Sequence, residues 1–241
     1  AALAVPILVI GAGVVRPAGP SWDHVVTTLL PAYVGNTAIL VLGAGGLALV
    51  LGVGAAWLVT MTRFPGRRFL SWALVLPLAV PAYMAAYTWA GLLDVTGPVQ
   101  RVVRSVVPGA SDAFLQWNVM GIETVTVIFA VVLYPYVYLL TRTLLERRSG
   151  SILEAARLLG RSGWSVFFRV GLPLARPAMV GGVALVLMEV LNDYGAVKYY
   201  GVPTFTSGIF RAWFTLGDVD TAIRLSAILM VIVLALLVLE R

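Results

Sequence analysis

The 241-residue chain has no cysteine, one histidine (His24) and one lysine (Lys198) among 17 basic residues, and only 12% of it is charged. Each shortage removes a class of function. Without cysteine there is no disulfide scaffold, no thiolate zinc site and no cysteine nucleophile. His24 has no neighbouring His or Cys and reads as a surface loop residue, so no residue is assigned as a metal ligand. Lys198 follows Val197 rather than the glycine that a phosphate-binding loop requires, so ATP hydrolysis is not expected on this chain. Soluble domains carry about 25% charged residues, and a composition that is 60% hydrophobic points to a bilayer as solvent. The net charge of +6 would elsewhere suggest nucleic acid. In a membrane protein it is first assigned loop by loop.

A membrane-crossing helix needs roughly 20 mostly apolar residues. Thr37–Thr62 and Phe69–Leu93 are free of charge, and Thr124–Thr141 is a third such run. Pro177–Val197 is a fourth, interrupted by Glu189 and Asp193. Leu225–Leu239 becomes another if it starts near Thr221 and tolerates Arg224 close to its end. Ala1–Val15 is short, lacks an initiating Met and reads as a truncated first span. The expected fold is therefore all-α, a polytopic membrane bundle of about six helices forming one domain over residues 1–241. Alternating the spans places 11 of the 17 basic residues on one side with three acids (Glu146, Glu154, Glu240), and six basic residues with eight acids on the other. The positive-inside rule assigns the arginine-rich loops to the cytoplasm. Trp57 and Trp72 near inner ends and Trp89 near an outer end suit interfacial belts. On the outer side, Asp94–Glu123 carries Gly97-Pro98 and Pro108-Gly109 turn signals and reads as a loop with short helical pieces.

The inner loop over 149–175 carries the most specific pattern. Ser151 and Glu154 have capping-box spacing, so a helix is expected to start there. Gly160 is a natural helix stop. Ser162 then caps a second short helix that ends before Pro173. By composition this helix, bend and helix is an amphipathic connector on lipid headgroups. Its spacing says more: Glu154-Ala155-Ala156, three residues, Gly160, nine residues, then Val170, any residue, Leu172-Pro173.

These seven positions match the cytoplasmic signature of permease subunits of binding-protein-dependent (type I) ABC importers, which the chain resembles. The resemblance implies a coupling helix seated in a groove of a separate ATPase subunit. ATP and magnesium would be held there, with no cofactor on this chain. It also implies an extracytoplasmic substrate-binding protein, a second permease half or copy, and a place in the bacterial plasma (inner) membrane; no nucleic-acid partner is expected. Downstream, Leu191-Asn192-Asp193-Tyr194-Gly195-Ala196-Val197, Tyr199–Thr206 and Ile209–Trp213 resemble the first half of ferric-iron ABC permeases, from about Leu70 onward. Those proteins have two homologous halves with a coupling loop in each. Either this chain is an N-terminal half, cut at both ends, or two copies pair.

Carboxylates within spans are costly and face protein, water or a partner. Glu189 and Asp193 share a helix face at i, i+4, and with Asn192 they are candidates to line a cation pathway, oxygen being a suitable donor for hard cations. The plainer alternative is that they pair with Arg224 or Arg211 and cap the outer helix end. Pro77 and Pro81 are expected to kink the Phe69–Leu93 span. Tyr83 and Tyr87, also at i, i+4, either line the cavity beside Glu189 or pack between helices. Tyr134-Pro135-Tyr136 has the same ambiguity. Gly43, Gly45, Gly46, Gly52 and Gly54 are expected at close helix contacts. A competing functional reading is a secondary transporter that uses Glu189 and Asp193 as proton or cation relays, which leaves the loop signature unexplained. An intramembrane hydrolase lacks a nucleophile motif.

Overall fold

The computed structural model describes residues 5–106, 118–158 and 163–239, with backbone alone over 148–158. Among the described residues all regular structure is helical. Helix α1 (Val5–Val14) is followed by a helical turn (Trp22–His24) and a π-turn (Val25–Leu29) that lead straight into α2 (Leu30–Met61). Helix α3 (Arg67–Ala73), a 3₁₀ turn (Leu76–Ala79), α4 (Ala82–Leu93) and α5 (Pro98–Val106) come next. Helix α6 (Ile122–Leu158) then precedes Gly163–Val166 and a π-turn (Phe167–Gly171), which open α7 (Leu172–Asn192). The chain ends with α8 (Gly195–Tyr199), α9 (Phe205–Phe210) with its π-turn Arg211–Thr215, and α10 (Val219–Leu239).

Four stretches among the described residues are long and apolar enough to cross a membrane: Trp22–Met61, Ile122–Arg147, Gly163–Asn192 and Val219–Val238. A fifth span is broken, Arg67–Ala79 meeting Ala82–Val106 at 95°. The six expected spans thus become four continuous ones, one broken one and the ten-residue α1. The first long span starts well before Thr37, which places exposed His24 on a helical turn and not in a loop.

The break replaces the single kinked helix expected over Phe69–Leu93, and it falls at the expected prolines. Val80, just before Pro81, is extended at φ −105°, ψ 118°, as the ring of the following proline demands. Ahead of it the backbone tightens: Val75 N–H bonds Trp72 O and Leu78 N–H bonds Val75 O. These three-residue steps leave the carbonyls of Ser71 and Leu74 without their helical donors. Helix α6 supplies replacements from residues one turn apart. Tyr134 Oη donates to Leu74 O at 2.9 Å, and Tyr138 Oη donates to Ser71 O at 2.9 Å. Arg142 Nη1 also donates to Ser71 O at 3.1 Å while its Nε is paired with Glu146 at 2.8 Å. A broken helix is tolerated in a bilayer only where its freed backbone groups are satisfied in this way.

The main core lies where α2, α6 and α7 cross. The buried stripe of α2 runs Thr37, Leu40, Ala44, Gly45, Ala48, Gly52, Val53, Ala56, Val59, rich in small residues, whereas Leu42 and Val50 on other faces are exposed. Small residues are what membrane helices need to approach closely. A Cβ on Gly52 would lie 2.6 Å from Val137 Cβ and 2.9 Å from Tyr134 O, and one on Gly182 of α7 would lie 2.7 Å from Val137 Cα. Val137 is thus gripped from both sides. Gly43 and Gly45 also sit against neighbouring side chains, whereas Gly46 and Gly54 face open space.

A second cluster joins Val25, Tyr33, Phe205, Ala212, Ala222 and Leu225. Beside it, Asp218 accepts hydrogen bonds from Ser21 N at 2.9 Å, Thr221 N at 3.0 Å and the Thr221 hydroxyl at 2.8 Å, capping α10 and fastening the segment before α2 to it. Burial raises the Asp218 pKa, but these donors outweigh it and hold the carboxyl below its ordinary value.

Replacing Gly182 by Leu drives a side chain into the α6 backbone and should cost about 1–3 kcal/mol or more. Gly54→Ala, facing open space, should be neutral or stabilising by up to about 1 kcal/mol; unfolding midpoints in detergent compare the two. Because the Asp218 pKa is depressed in the folded chain, its stabilisation is complete above the unfolded carboxylate pKa and is lost as pH falls through the folded value. Asp218→Ala should therefore lose about 0.5–2 kcal/mol at pH 7, and the gap to the parent protein should narrow below about pH 4.

Candidate functional site

The signature residues lie at the junction of α6 and α7. Helix α6 is 37 residues long, about 55 Å, against a hydrocarbon layer of about 30 Å. Its far end therefore projects beyond the layer, and Glu154, Ala155 and Ala156 lie in its last turns. No new helix starts at Ser151, contrary to the capping-box expectation. Leu144, Leu145, Glu146 and Arg147 are good helix formers, and an isolated Gly150 costs only about 1 kcal/mol, too little to break a helix already under way. Gly160 and Ser162 lie outside the described residues. Pro173 does not end the second helix either. The π-turn before it bonds Leu172 N–H to Phe167 O, five residues back, and that wider turn admits the ring without the clash it makes in a regular helix. Gly163–Asn192 thus forms one long helical run, which replaces the expected Pro177–Val197 span.

Val170 and Leu172 are partly buried at this turn and Pro173 is exposed. Trp57 of α2 packs on the backbone here: a Cβ on Gly171 would lie 2.5 Å from its ring. Phe167 meets the same indole edge-on at 4.8 Å. The second half of the signature is thereby tied to α2 as well as to α7. On the outer surface of this turn Trp164 and Phe168 are exposed and stacked at 6.0 Å.

The polar candidates form a second region near the other end of α7. Glu189 is exposed and accepts a long hydrogen bond from Tyr136 Oη, 3.4 Å. Asn192 is exposed on the last turn. Asp193 has a different role. Its carboxylate accepts from Ala196 N at 2.8 Å and Val197 N at 3.4 Å, so it starts α8, while its carbonyl accepts from the Thr206 hydroxyl at 2.9 Å. It is a cap, as the plainer reading held, but of the following helix, and it pairs with neither Arg224 nor Arg211. Arg224 instead donates to Arg16 O at 2.7 Å and lies 5.3 Å over the Trp22 ring. The amides of α8 are nearer to Asp193 than any arginine because the chain turns back immediately after it.

Tyr83 and Tyr87 are exposed on α4 and run along α8: Tyr83 lies against Gly195, and the Tyr87 ring meets Tyr199 at 5.2 Å. They reach the Glu189 helix through α8, and no hydrogen bond among the described residues joins them to Glu189. The structure adds an aromatic shelf that no sequence motif marks. Tyr194 stacks on Phe210 at 3.9 Å and Lys198 lies 5.1 Å over the Tyr194 ring. The i, i+4 spacing of Tyr194 and Lys198 was the available signal. Among the described residues no three of His, Asp and Glu converge to hold a metal ion.

A long projecting helix, three further continuous spans and a broken one, packed on a small-residue core, define a polytopic helical membrane protein. The chain belongs to the family of binding-protein-dependent transport system inner membrane components, whose profile matches residues 48–239. It is 30% identical over 197 residues to the Fe(3+)-transport system permease protein FbpB 2 of Haemophilus influenzae, covering 82% of this chain and 34% of that one. It is 34% identical over 150 residues to the sulfate transport system permease protein CysT of Escherichia coli, covering 62% of this chain and 51% of that one. The chain therefore spans about a third to a half of the length of these relatives. Its fold is similar to that of a bacterial ABC transporter involved in the import of the acidic polysaccharide alginate, with a TM-score of 0.74 over 99% of this chain and 89% of the other at 17% identity.

Asp193→Ala should fray α8 at a cost of about 0.5–2 kcal/mol, whereas Asp193→Asn keeps an accepting oxygen and most of the cap. Lys198 is the only lysine and lies on α8. Digestion with a lysine-specific protease therefore reads this directly: cleavage should be faster in the Ala variant and near the parent rate in the Asn variant.

Proposed function

We propose that the chain is the membrane-spanning part of a permease that imports ferric iron, delivered by an extracytoplasmic binding protein and driven by a separate ATPase subunit holding ATP and magnesium. The observation that carries this reading is the Glu154-Ala155-Ala156, Gly160, Val170, Leu172-Pro173 signature at the junction of two spans. Ferric iron is favoured over sulfate by Leu191–Val197 and Tyr199–Thr206, which resemble the corresponding stretches of ferric-iron permeases, and by a carboxylate, Glu189, exposed on a span.

The mechanism follows from how the junction is built. Docking of the ATPase at 149–175, with the arginine-rich loops in the cytoplasm, moves the end of α6 and the start of α7. Helix α6 is continuous from there to Arg142, Tyr138 and Tyr134, the three donors that hold the broken Arg67–Val106 span. A rigid-body movement at the junction is thus carried to α3 and α4. Tyr83 and Tyr87 on α4, with Glu189 and Asn192, line the path that opens alternately to either side; Asp193 keeps that end of α7 in shape. A second permease half or copy covers the exposed side of these residues. Secondary transport through Glu189 and Asp193 is disfavoured because Asp193 is already engaged by two backbone amides.

The test uses the complete protein, purified from its membrane with its partners. Glu154→Lys combined with Gly160→Asp should abolish co-purification of the ATPase and ATP-dependent uptake while leaving the protein folded. Reconstituted vesicles supplied with the binding protein should take up labelled ferric iron and not sulfate. ATP-dependent sulfate uptake would overturn the substrate, and a folded parent protein that never binds an ATPase would overturn the importer reading itself.

A further inference from the structure

Tyr134 and Tyr138 of α6 hold the broken span, but Tyr136, the remaining member of the Tyr134-Pro135-Tyr136 set, has no part in that ladder. Two residues from either, it stands on the opposite side of the helix. There it reaches α7, where its Oη lies 3.4 Å from Glu189 Oε1. The two backbones do not meet at that level. Helix α7 touches α6 at Gly182, whose added Cβ would lie 2.7 Å from Val137 Cα, and Glu189 is further along the same helix, about 10 Å along the axis.

Antiparallel packing closes that gap. Gly43 and Gly52 of α2 lie against Thr126 and Val137, so α2 and α6 run the same way, whereas Gly45 and Trp57 lie against Leu187 and Gly171, so α7 runs the opposite way. A helical side chain leans toward the N-terminus of its own helix. The Tyr136 ring therefore leans toward the Ile122 end of α6, and the Glu189 side chain leans back toward the Leu172 end of α7 to meet it. Among the described residues Glu189 has no other hydrogen-bond or ion-pair partner. At 3.4 Å, against about 2.7–2.8 Å for a settled O–H···O bond, the phenol orients the carboxylate without occupying it, and Glu189 remains exposed.

No proline stands between Tyr136 and the far end of α6. Pro135 lies on its other side, and the helix runs unbroken to Leu158 through the turns that carry Glu154, Ala155 and Ala156. We propose that Tyr136 is a positioning residue of the import path, its hydroxyl setting the Glu189 carboxylate, so that movement of α6 at the ATPase junction changes how Glu189 is presented to the passing ion. One displacement of α6 then shifts the broken span on one side and Glu189 on the other. This role rests on the importer reading and holds whichever ion is carried.

Uptake and ATP hydrolysis are measured in the same vesicles, with the complete transporter reconstituted with its ATPase and supplied with loaded binding protein. The labelled ion is whichever of ferric iron and sulfate the unmodified transporter takes up. Tyr136→Phe keeps the ring and removes the hydroxyl. It should assemble with the ATPase and keep the parent unfolding midpoint and rate of ATP hydrolysis, while uptake at saturating binding protein falls about three- to tenfold, so more ATP is hydrolysed per ion. Glu189→Gln should also slow uptake, and the double variant should be no slower than the slower single one, because the hydroxyl acts through the carboxylate. Tyr136→Phe with the parent's uptake and ATP per ion would overturn the role, as would a double variant whose loss is the product of the two single losses. So would loss of unfolding midpoint, hydrolysis and uptake together, the pattern of a structural residue. An unmodified transporter that binds no ATPase and takes up neither ion is a different failure: it overturns the importer reading, and this role falls with it.

Discussion

Two carbonyl oxygens, Ser71 O and Leu74 O, are released where the Arg67–Val106 span breaks, and a membrane helix tolerates such a break only where its freed backbone groups find new donors. Tyr134, Tyr138 and Arg142 on successive turns of α6 supply the donors. The 95° bend persists because of that ladder. It in turn fixes where α4 starts, where Tyr83 and Tyr87 are presented, and how α8 can lie against them. The close approach of α2 and α7 to Val137, in the middle of the same stretch of α6, sets the register of the ladder. Glycine on both neighbours and tyrosine at 134 and 138 are therefore parts of one arrangement.

The same helix links the interior to the junction that carries the family signature. The last turns of α6 reach residue 158 without interruption, and the chain resumes at Gly163 in a run that becomes α7. The π-turn Phe167–Gly171 lets Pro173 sit inside that run, and Trp57 closes on the bare backbone of Gly171. From Gly163 onward the junction is therefore a continuous helical run held against a packed indole.

Much of the candidate site was legible in the sequence. The signature spacing points to the permease family because it specifies seven positions. Pro77 and Pro81 gave the place of the break, but its angle and its donors depend on residues some 60 positions later in the chain. Asp193 read as acidic and near a helix end, yet which amides it meets depends on the turn at Tyr194 and Gly195. The capping box at Ser151 and Glu154 misled because its local pattern fits a helix start equally well inside a helix that is already propagating.

Composition and run length by themselves determined that the chain crosses a membrane and roughly where, and the spacing of seven residues in the 149–175 loop determined by which family's pattern its junction is built. They could not determine which face of each helix turns inward. In water, periodic polarity marks the buried face, but in lipid both faces are apolar and the signal disappears. Size takes its place: Ala44, Ala48, Gly52 and Ala56 are buried while Leu42 and Val50 on the same helix stay exposed. That choice depends on the surface each helix finds in its neighbour, which only the tertiary structure supplies.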